Sequence, residues 1–388
     1  MFNYKILFLK KFKKMKLSNF YINLLIIFLL FNLLGCDPDD PVCCGPTDPA
    51  LPGQIYIAGS YSTGGKEYGA YWVANSSGTY QRVDLDDAGL INEIKVRNGV
   101  VYAVGETTWG ERDPAIWIDG IKTVLNAPNN DETWGGATAF ALAFDGDDIY
   151  ISGNYVSEKA SFGGVSSACY WILNDENPLG KLYPLQSGVS SDAYGIAILN
   201  GQPISVGWYQ REHRIIPAKW VGNQRSNLDG NHDGEAMDIV IDGNDYYISG
   251  WTDNKRNATH YYPTVWKNNQ SSRKTLKEAT LRRSEVSSND REAYASAITL
   301  KNGVLYASGY TYFDFSVTSA SYWTIDFSGN NPSNEITEYN GGEMKDIVIS
   351  DDGDIITVGS GEVWVNGESF QIIENDFVVY PNSVTISE

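Results

Sequence analysis

A short apolar run ending in glycine recurs seven times along the chain: Ile55 to Gly59, Val101 to Gly105, Ile149 to Gly153, Pro203 to Gly207, Tyr246 to Gly250, Leu305 to Gly309 and Ile355 to Gly359. The glycines lie 43 to 59 residues apart. Each is followed by a tryptophan on a second strand-like run, namely Trp72, Trp117, Trp171, Trp220, Trp266, Trp323 and Trp364. Before six of the glycine runs stands a further apolar run, joined to it by a turn such as Asn98-Gly99, Asp242-Gly243 or Asn302-Gly303. Such pairs supply the positive φ of a tight hairpin. A weaker fourth strand follows each tryptophan run, as in 79–85 and 122–126. The unit is therefore a four-stranded antiparallel meander, with strands A to D in chain order. Repetition at this period constrains the fold more than any other feature of the chain.

Four strands per unit and seven units predict an all-β, seven-bladed β-propeller. Unit one lacks its A strand, and a spare strand, Ser383-Val384-Thr385-Ile386, follows unit seven. The expectation is that this C-terminal strand completes blade one and closes the ring, burying two edges. The seven tryptophans are then core residues packed between neighbouring blades. The content of 38 Gly, 11 Trp, 25 Tyr and 14 Phe agrees with strands and tight turns. The repeat, roughly A-x-x-I-turn-Y-x-x-G followed by A-x-Y-W-x-N-G, resembles the Tyr-Trp-type propeller repeats of uncharacterised bacterial surface lipoproteins. It lacks the Trp-Asp, Gly-Gly and Ala-x-Asp-Gly signatures of the WD40, kelch and pyrroloquinoline-quinone-type propellers. That resemblance implies fold and location and carries no established activity.

The first 35 residues read as an address. Lys5, Lys10, Lys11, Lys13, Lys14 and Lys16 precede an apolar run from Tyr21 to Leu34, which is short of the roughly 18–20 residues that span a bilayer. Leu33-Leu34-Gly35-Cys36 resembles the lipobox of bacterial lipoproteins, which implies a diacylglyceryl group on Cys36, cleavage before it, and palmitate-type acylation of the new terminus. Met15 is an alternative start. Residues 36–53, rich in Pro and Asp, form a stiff solvated tether to the membrane, and 54–388 form the propeller. Cys43 and Cys44 are compatible with a vicinal disulfide, an intermolecular pair or free thiols, and Cys169 is expected to be a buried, inert thiol. The expected location is the cell envelope, at the outer membrane. The formal net charge of −19 becomes more negative once the lysine-rich leader is removed, which argues against a nucleic-acid partner.

Two features suggest a site. Asp229 to Asp238, DGNHDGEAMD, resembles the calcium loop of FG-GAP repeats in integrin-type propellers. The resemblance implies Asp229, Asn231, Asp233 and Asp238 as side-chain ligands and Glu235 as a carbonyl donor to Ca²⁺. Asp346 occupies the position of Asp238 in unit seven, so Asp238 also reads as repeat consensus. The second feature is a set of aromatics that follow the glycines: Tyr61, Trp109, Tyr155, Trp208, Tyr209, Trp251, Tyr310 and Tyr312. Acids stand where A strands begin, at Asp192, Glu235, Glu292 and Glu343. Such a face suits a sugar ring, a peptide or a partner loop.

The three histidines have no metal-ligand spacing, and no nucleophile elbow or phosphate loop appears. These observations favour a non-enzymatic binding or scaffold propeller of the envelope, with a glycan, a peptide or an envelope protein as ligand. The alternatives are an enzyme that acts on extracellular polysaccharide through channel carboxylates, and an assembly subunit of an outer-membrane complex.

Overall fold

The computed structural model describes residues 53–387 apart from 75–79, 109–111, 129–135, 157–164, 254–259, 279–290, 314–316, 328–332 and 373–376. These belong to one compact unit, Asp48–Glu388. Cys36, Cys43, Cys44 and Trp109 lie outside the described residues. The described chain is all-β, and its strands form six sheets rather than seven separate ones. Five sheets have four antiparallel strands each. Units five and six share one eight-stranded sheet, because His260 and Tyr261 of unit five run parallel to Arg291 and Glu292 of unit six. The C-terminal strand Val378–Ile386 pairs with Ile55–Thr63 and supplies the missing A strand of unit one.

The recurrent glycine does not end its strand. In units one to six the B strand continues past it, as Ile55–Thr63 and Gln202–Arg211 do past Gly59 and Gly207. The glycine faces a β-bulge in the A strand. Gly207 pairs with Ala193 and Val206 with Gly195, so Tyr194 is the extra residue. Asn382, Asn92, Phe140, Met237 and Ser296 take the same place in units one, two, three, five and six. The bulge pushes a carbonyl towards the glycine. A Cβ on Gly207 would sit 1.9 Å from the Asp192 oxygen, and one on Gly250 would sit 2.0 Å from that of Glu235. Close backbone approach, not a special φ, makes these positions glycine.

The cores lie between sequential units. Trp117 packs with Tyr56, Ala58 and Tyr71 of unit one, and Trp171 with Val104 and Ile116 of unit two. Trp72 of unit one packs with Ile356, Val358 and Val363 of unit seven. All seven repeat tryptophans are buried, and each truncation to Ala would cost about 3–5 kcal/mol. Cys169 is a buried free thiol in the core that contains Trp171.

Side chains just after the bulge tie A strands to one another. Ser383 Oγ accepts the Ile94 N–H at 3.3 Å, and Glu93 accepts the Leu142 N–H. Asp238 accepts the Ile298 N–H at 2.9 Å, and Asp346 accepts the Val384 N–H at 2.8 Å. Ala141, Gly195 and Ala297 fill the same position in the other three units.

Candidate active site

Side chains alternate along a strand, and that alternation divides the expected aromatic face into two sets. Tyr61, Tyr155 and Tyr209 stand two residues after their glycines and are buried in the tryptophan cores, against the preceding unit. Arg82 covers the Tyr61 ring at 4.3 Å and Arg225 covers Tyr209 at 3.7 Å. These three rings are structural. Trp208, Trp251, Tyr310 and Tyr312 stand one or three residues after their glycines and turn the other way, towards the starts of the A strands.

Three of the four meet the acids. The register sets Trp208 opposite Asp192, Trp251 opposite Glu235 and Tyr312 opposite Glu292. Trp251 Nε1 donates to Glu235 at 3.4 Å, and Tyr294 donates to Glu292 at 2.9 Å. Tyr312 donates to Glu343 of unit seven. Trp208 Nε1 donates to the Tyr194 hydroxyl at 3.0 Å, and Tyr194 is in turn hydrogen-bonded to Asp192. Asp192 also accepts from Asn154 and Ser166, each at 2.7 Å.

The rings form a contiguous wall. Trp251 lies 4.3 Å from Tyr261 and 5.9 Å from Tyr294, and Tyr294 lies 5.0 Å from Tyr310, which is 5.2 Å from Tyr312. Burial among them, reinforced by the nearby Asp192 charge, pushes the Glu235 carboxyl up to about 7. Burial and the surrounding carboxylates raise the hydroxyls of Tyr194, Tyr294 and Tyr310, and push Tyr312 up to about 12. The site can therefore offer a carboxylic acid that exchanges its proton near neutrality, a second carboxylate held by hydrogen-bond donors, and flat rings for stacking.

The equivalent positions of units one to three carry different chemistry. Ser60 donates to Glu67 at 2.6 Å, and Glu106 accepts from Thr138 at 3.2 Å with Arg112 3.9 Å away. Burial raises the Glu106 carboxyl, while Arg112 opposes the shift.

The expected calcium loop is put to other uses. Asp229 accepts the backbone N–H groups of Asn231 and His232, and pairs with the His232 ring at 2.9 Å. Asp233 pairs with Arg214 at 2.6 Å. Asp238 Oδ1 accepts the Ile239 N–H and its Oδ2 the Ile298 N–H, and the Glu235 side chain belongs to the aromatic wall. No group of three His, Cys, Asp or Glu among the described residues is placed to hold a metal ion. Past the bulge after Ala236, Asp238 is directed to the next A strand, which the sequence pattern does not reveal.

Tyr194, Tyr261 and Tyr294 were not expected in the site. Tyr294 follows Glu292 at the strand period of two, a signal the sequence did carry. Tyr194 is positioned by the bulge, which has no residue signature of its own.

No family model and no curated sequence matches the chain. Solved structures do resemble it. An acylaminoacyl peptidase of Pyrococcus horikoshii is 11% identical over 86% of this chain and 54% of its own, with a TM-score of 0.47. The β-propeller domain of the Trilobed protease from Pyrococcus furiosus is 8% identical over 74% of this chain and 96% of its own, at 0.34. Trypanosoma rangeli sialidase is 10% identical over 80% of this chain and 56% of its own, at 0.44. The chain spans about half the length of the acylaminoacyl peptidases it resembles, 54% and 52%. Such distant likeness concerns the fold, and these neighbours include a β-propeller. Against the expectation of a non-enzymatic binding or scaffold propeller, peptidases and a sialidase stand among the similar chains. None of them lends this chain an activity.

Proposed function

We propose that the chain is a hydrolase of glycosidic bonds, built on a closed seven-bladed propeller, with its chemistry at the wall formed by units four to six. The observation that carries this reading is the placement of Glu235, which accepts from Trp251 Nε1 at 3.4 Å within the aromatic wall, where burial, with the Asp192 charge adding to it, pushes its carboxyl up to about 7. Two carboxyl groups whose environments differ in this way suit general acid catalysis of acetal cleavage. Glu235 gives its proton to the leaving oxygen as the glycosidic C–O bond breaks. The opposite charge demand, at the positive anomeric centre, falls to Asp192, which Asn154, Ser166 and Tyr194 orient. Water supplies the incoming hydroxyl and returns a proton to the pair. Trp251 and its neighbours supply stacking surface for the sugar rings.

Ring closure is supported by the pairing of Val378–Ile386 with Ile55–Thr63 and by the core that Trp72 shares with unit seven. An envelope location with lipid on Cys36 rests on the Leu33-Leu34-Gly35-Cys36 sequence. Labelled palmitate should enter the protein in its native cells and be absent from Cys36→Ala.

The enzymatic reading is tested by reducing-end release from a panel of neutral, amine-bearing and uronate polysaccharides. Turnover of at least one member is expected, declining as pH rises through about 7 and lost in Glu235→Gln. Absence of turnover on every member, or turnover unaltered in Glu235→Gln, overturns it.

A further inference from the structure

The two residues that follow each recurrent glycine face opposite sides of the sheet. The first looks to the following unit and the second to the preceding one, so each junction between sequential units receives one residue of each kind. Between units seven and one these are Ser360 and Tyr61, between two and three Glu106 and Tyr155, and between three and four Asn154 and Tyr209. In these junctions the ring comes from the later unit and is buried against the earlier one. Tyr61 shares a core with Val358, Tyr155 with Val104 and Tyr209 with Tyr170.

Along the wall the assignment is reversed. The second residues are Thr252, Thr311 and Gly361, and the first residues of the units before them are Trp208, Trp251 and Tyr310. Trp251 shares its side of the sheet with Tyr247, and Thr311 shares its own with Ala307; Tyr247 and Ala307 lie in one core. Trp208 goes in the same way with Val206 and Thr252 with Ile248, again in one core. The Trp251 ring lies 5.9 Å from that of Tyr294, the neighbour of Ala293, which pairs with Thr311. Thr252 and Thr311 are buried. Unit seven turns at Ser360 and Gly361, both at positive φ, and brings no large side chain to Tyr310. The junction of units one and two, with Ser60 and Thr107, has no ring at either position. There the sheets themselves come closer: Gly69 pairs with Ser60, and a Cβ on it would lie 2.6 Å from that of Ala88.

We infer that each junction has room for a single ring, and that Thr252, Thr311 and Gly361 are positioning residues whose small size lets that ring come from the earlier unit, on the side of the acids. A tyrosine at 311, like that at 209, would claim the volume Trp251 fills and part its indole from Glu235. Size rather than polarity is what position 311 contributes, since the Thr311 hydroxyl has no hydrogen-bond partner among the described residues. The inference rests on the glycosidase reading for what the wall does and not for how it is built.

The test is a double-mutant cycle on the whole protein, read by chemical denaturation. Trp251→Asn leaves the junction without a ring and Thr311→Tyr gives it two, so each alone should lower the denaturation midpoint. Together they recreate the pairing of Asn154 with Tyr209, and the double variant should recover at least about half of the summed loss. Additive losses overturn the inference. Should Thr311→Tyr fail to fold, the same cycle with Trp208→Asn and Thr252→Tyr decides it. Turnover reads the positioning role. Thr311→Val, of nearly the same size, should keep the pH profile. Thr311→Tyr should move its decline about one unit lower, because burial is the largest cause of the raised Glu235 carboxyl and Trp251 supplies that cover. An unmoved profile in Thr311→Tyr overturns the positioning role. Absence of turnover in the unaltered protein would end the glycosidase reading, and the denaturation cycle would still decide the inference.

Discussion

Units four to six and units one to three share one backbone and differ at one ring of positions. The residue after the recurrent glycine is Trp208, Trp251 or Tyr310 on one arc, and Ser60, Glu106 or Asn154 on the other. Both arcs have the same bulge, the same close approach of a carbonyl to glycine and the same buried tryptophan. On the aromatic arc the acids meet ring hydroxyls and indole N–H groups. On the polar arc they meet Ser60, Thr138 and Arg112. The scaffold thus keeps the same backbone whatever that position carries, and the aromatic contacts fall on one arc of it. Such sites on repeated frames are free to diversify, because the residues that hold the frame together point elsewhere.

The frame should fail equally on both arcs. Gly250→Ala and Gly105→Ala each place a Cβ about 2 Å from a carbonyl oxygen, 2.0 Å and 1.9 Å respectively. Each should lower stability by about 3 kcal/mol or more, measured by chemical denaturation. A mild effect in either would mean that the bulge relaxes without the glycine.

Chemistry should distinguish the arcs next. Glu235→Gln is expected to lower glycan turnover by about 10²–10⁴-fold, whereas Glu106→Gln should leave it within a few-fold. If the two variants were alike, the asymmetry of the ring would have no catalytic meaning.

Binding should distinguish them less sharply. Trp251→Ala should raise KM by about tenfold through lost stacking, with a smaller change in kcat. Asn154→Ala on the other arc removes a donor to Asp192, and should lower kcat more than it raises KM.

The smallest effect concerns the A-strand ties. Burial pushes the Asp238 carboxyl from 3.8 to about 7, with the charges of Asp346 and Glu93 adding to it, and the Asp346 carboxyl from 3.8 to about 6, with that of Glu93 adding. Folded protein therefore holds these protons more tightly than unfolded chain does, so this contribution to stability is fullest below pH about 4 and declines as pH rises to about 7. Backbone N–H donors oppose the shift in both. Asp238→Asn, which keeps an acceptor for Ile298, should flatten the fall in melting temperature between pH 4 and 7. An unchanged slope would show that water reaches Asp238 well enough to hold its charge.

Several of these positions could be read from the sequence. The four-strand unit, the hairpin turns at Asn98-Gly99 and Asn302-Gly303 and the core role of the tryptophans follow from local pattern, because hydrophobic alternation and turn stereochemistry act between residues close in the chain; the adoption of the C-terminal strand by unit one follows from the strand its repeat lacks. The aromatic positions after each glycine were also legible as a set. Their division was not. Whether Tyr209 or Trp208 meets the acids depends on which side of the sheet a residue faces, and the two are adjacent in sequence.

The sequence by itself determined a repeated all-β chain with its acids and aromatics at fixed places in each unit, since repetition and periodicity are properties of a string. The tertiary structure alone decided that Asp238 ties two A strands instead of joining Asp229 and Asp233, that Tyr61 and Tyr209 are covered by arginines, and that units five and six share a sheet. The physical reason is the bulge: one extra residue re-aims every side chain beside it, and its effect is felt only where a neighbouring strand supplies the carbonyl, the carboxylate or the ring that the side chain then meets.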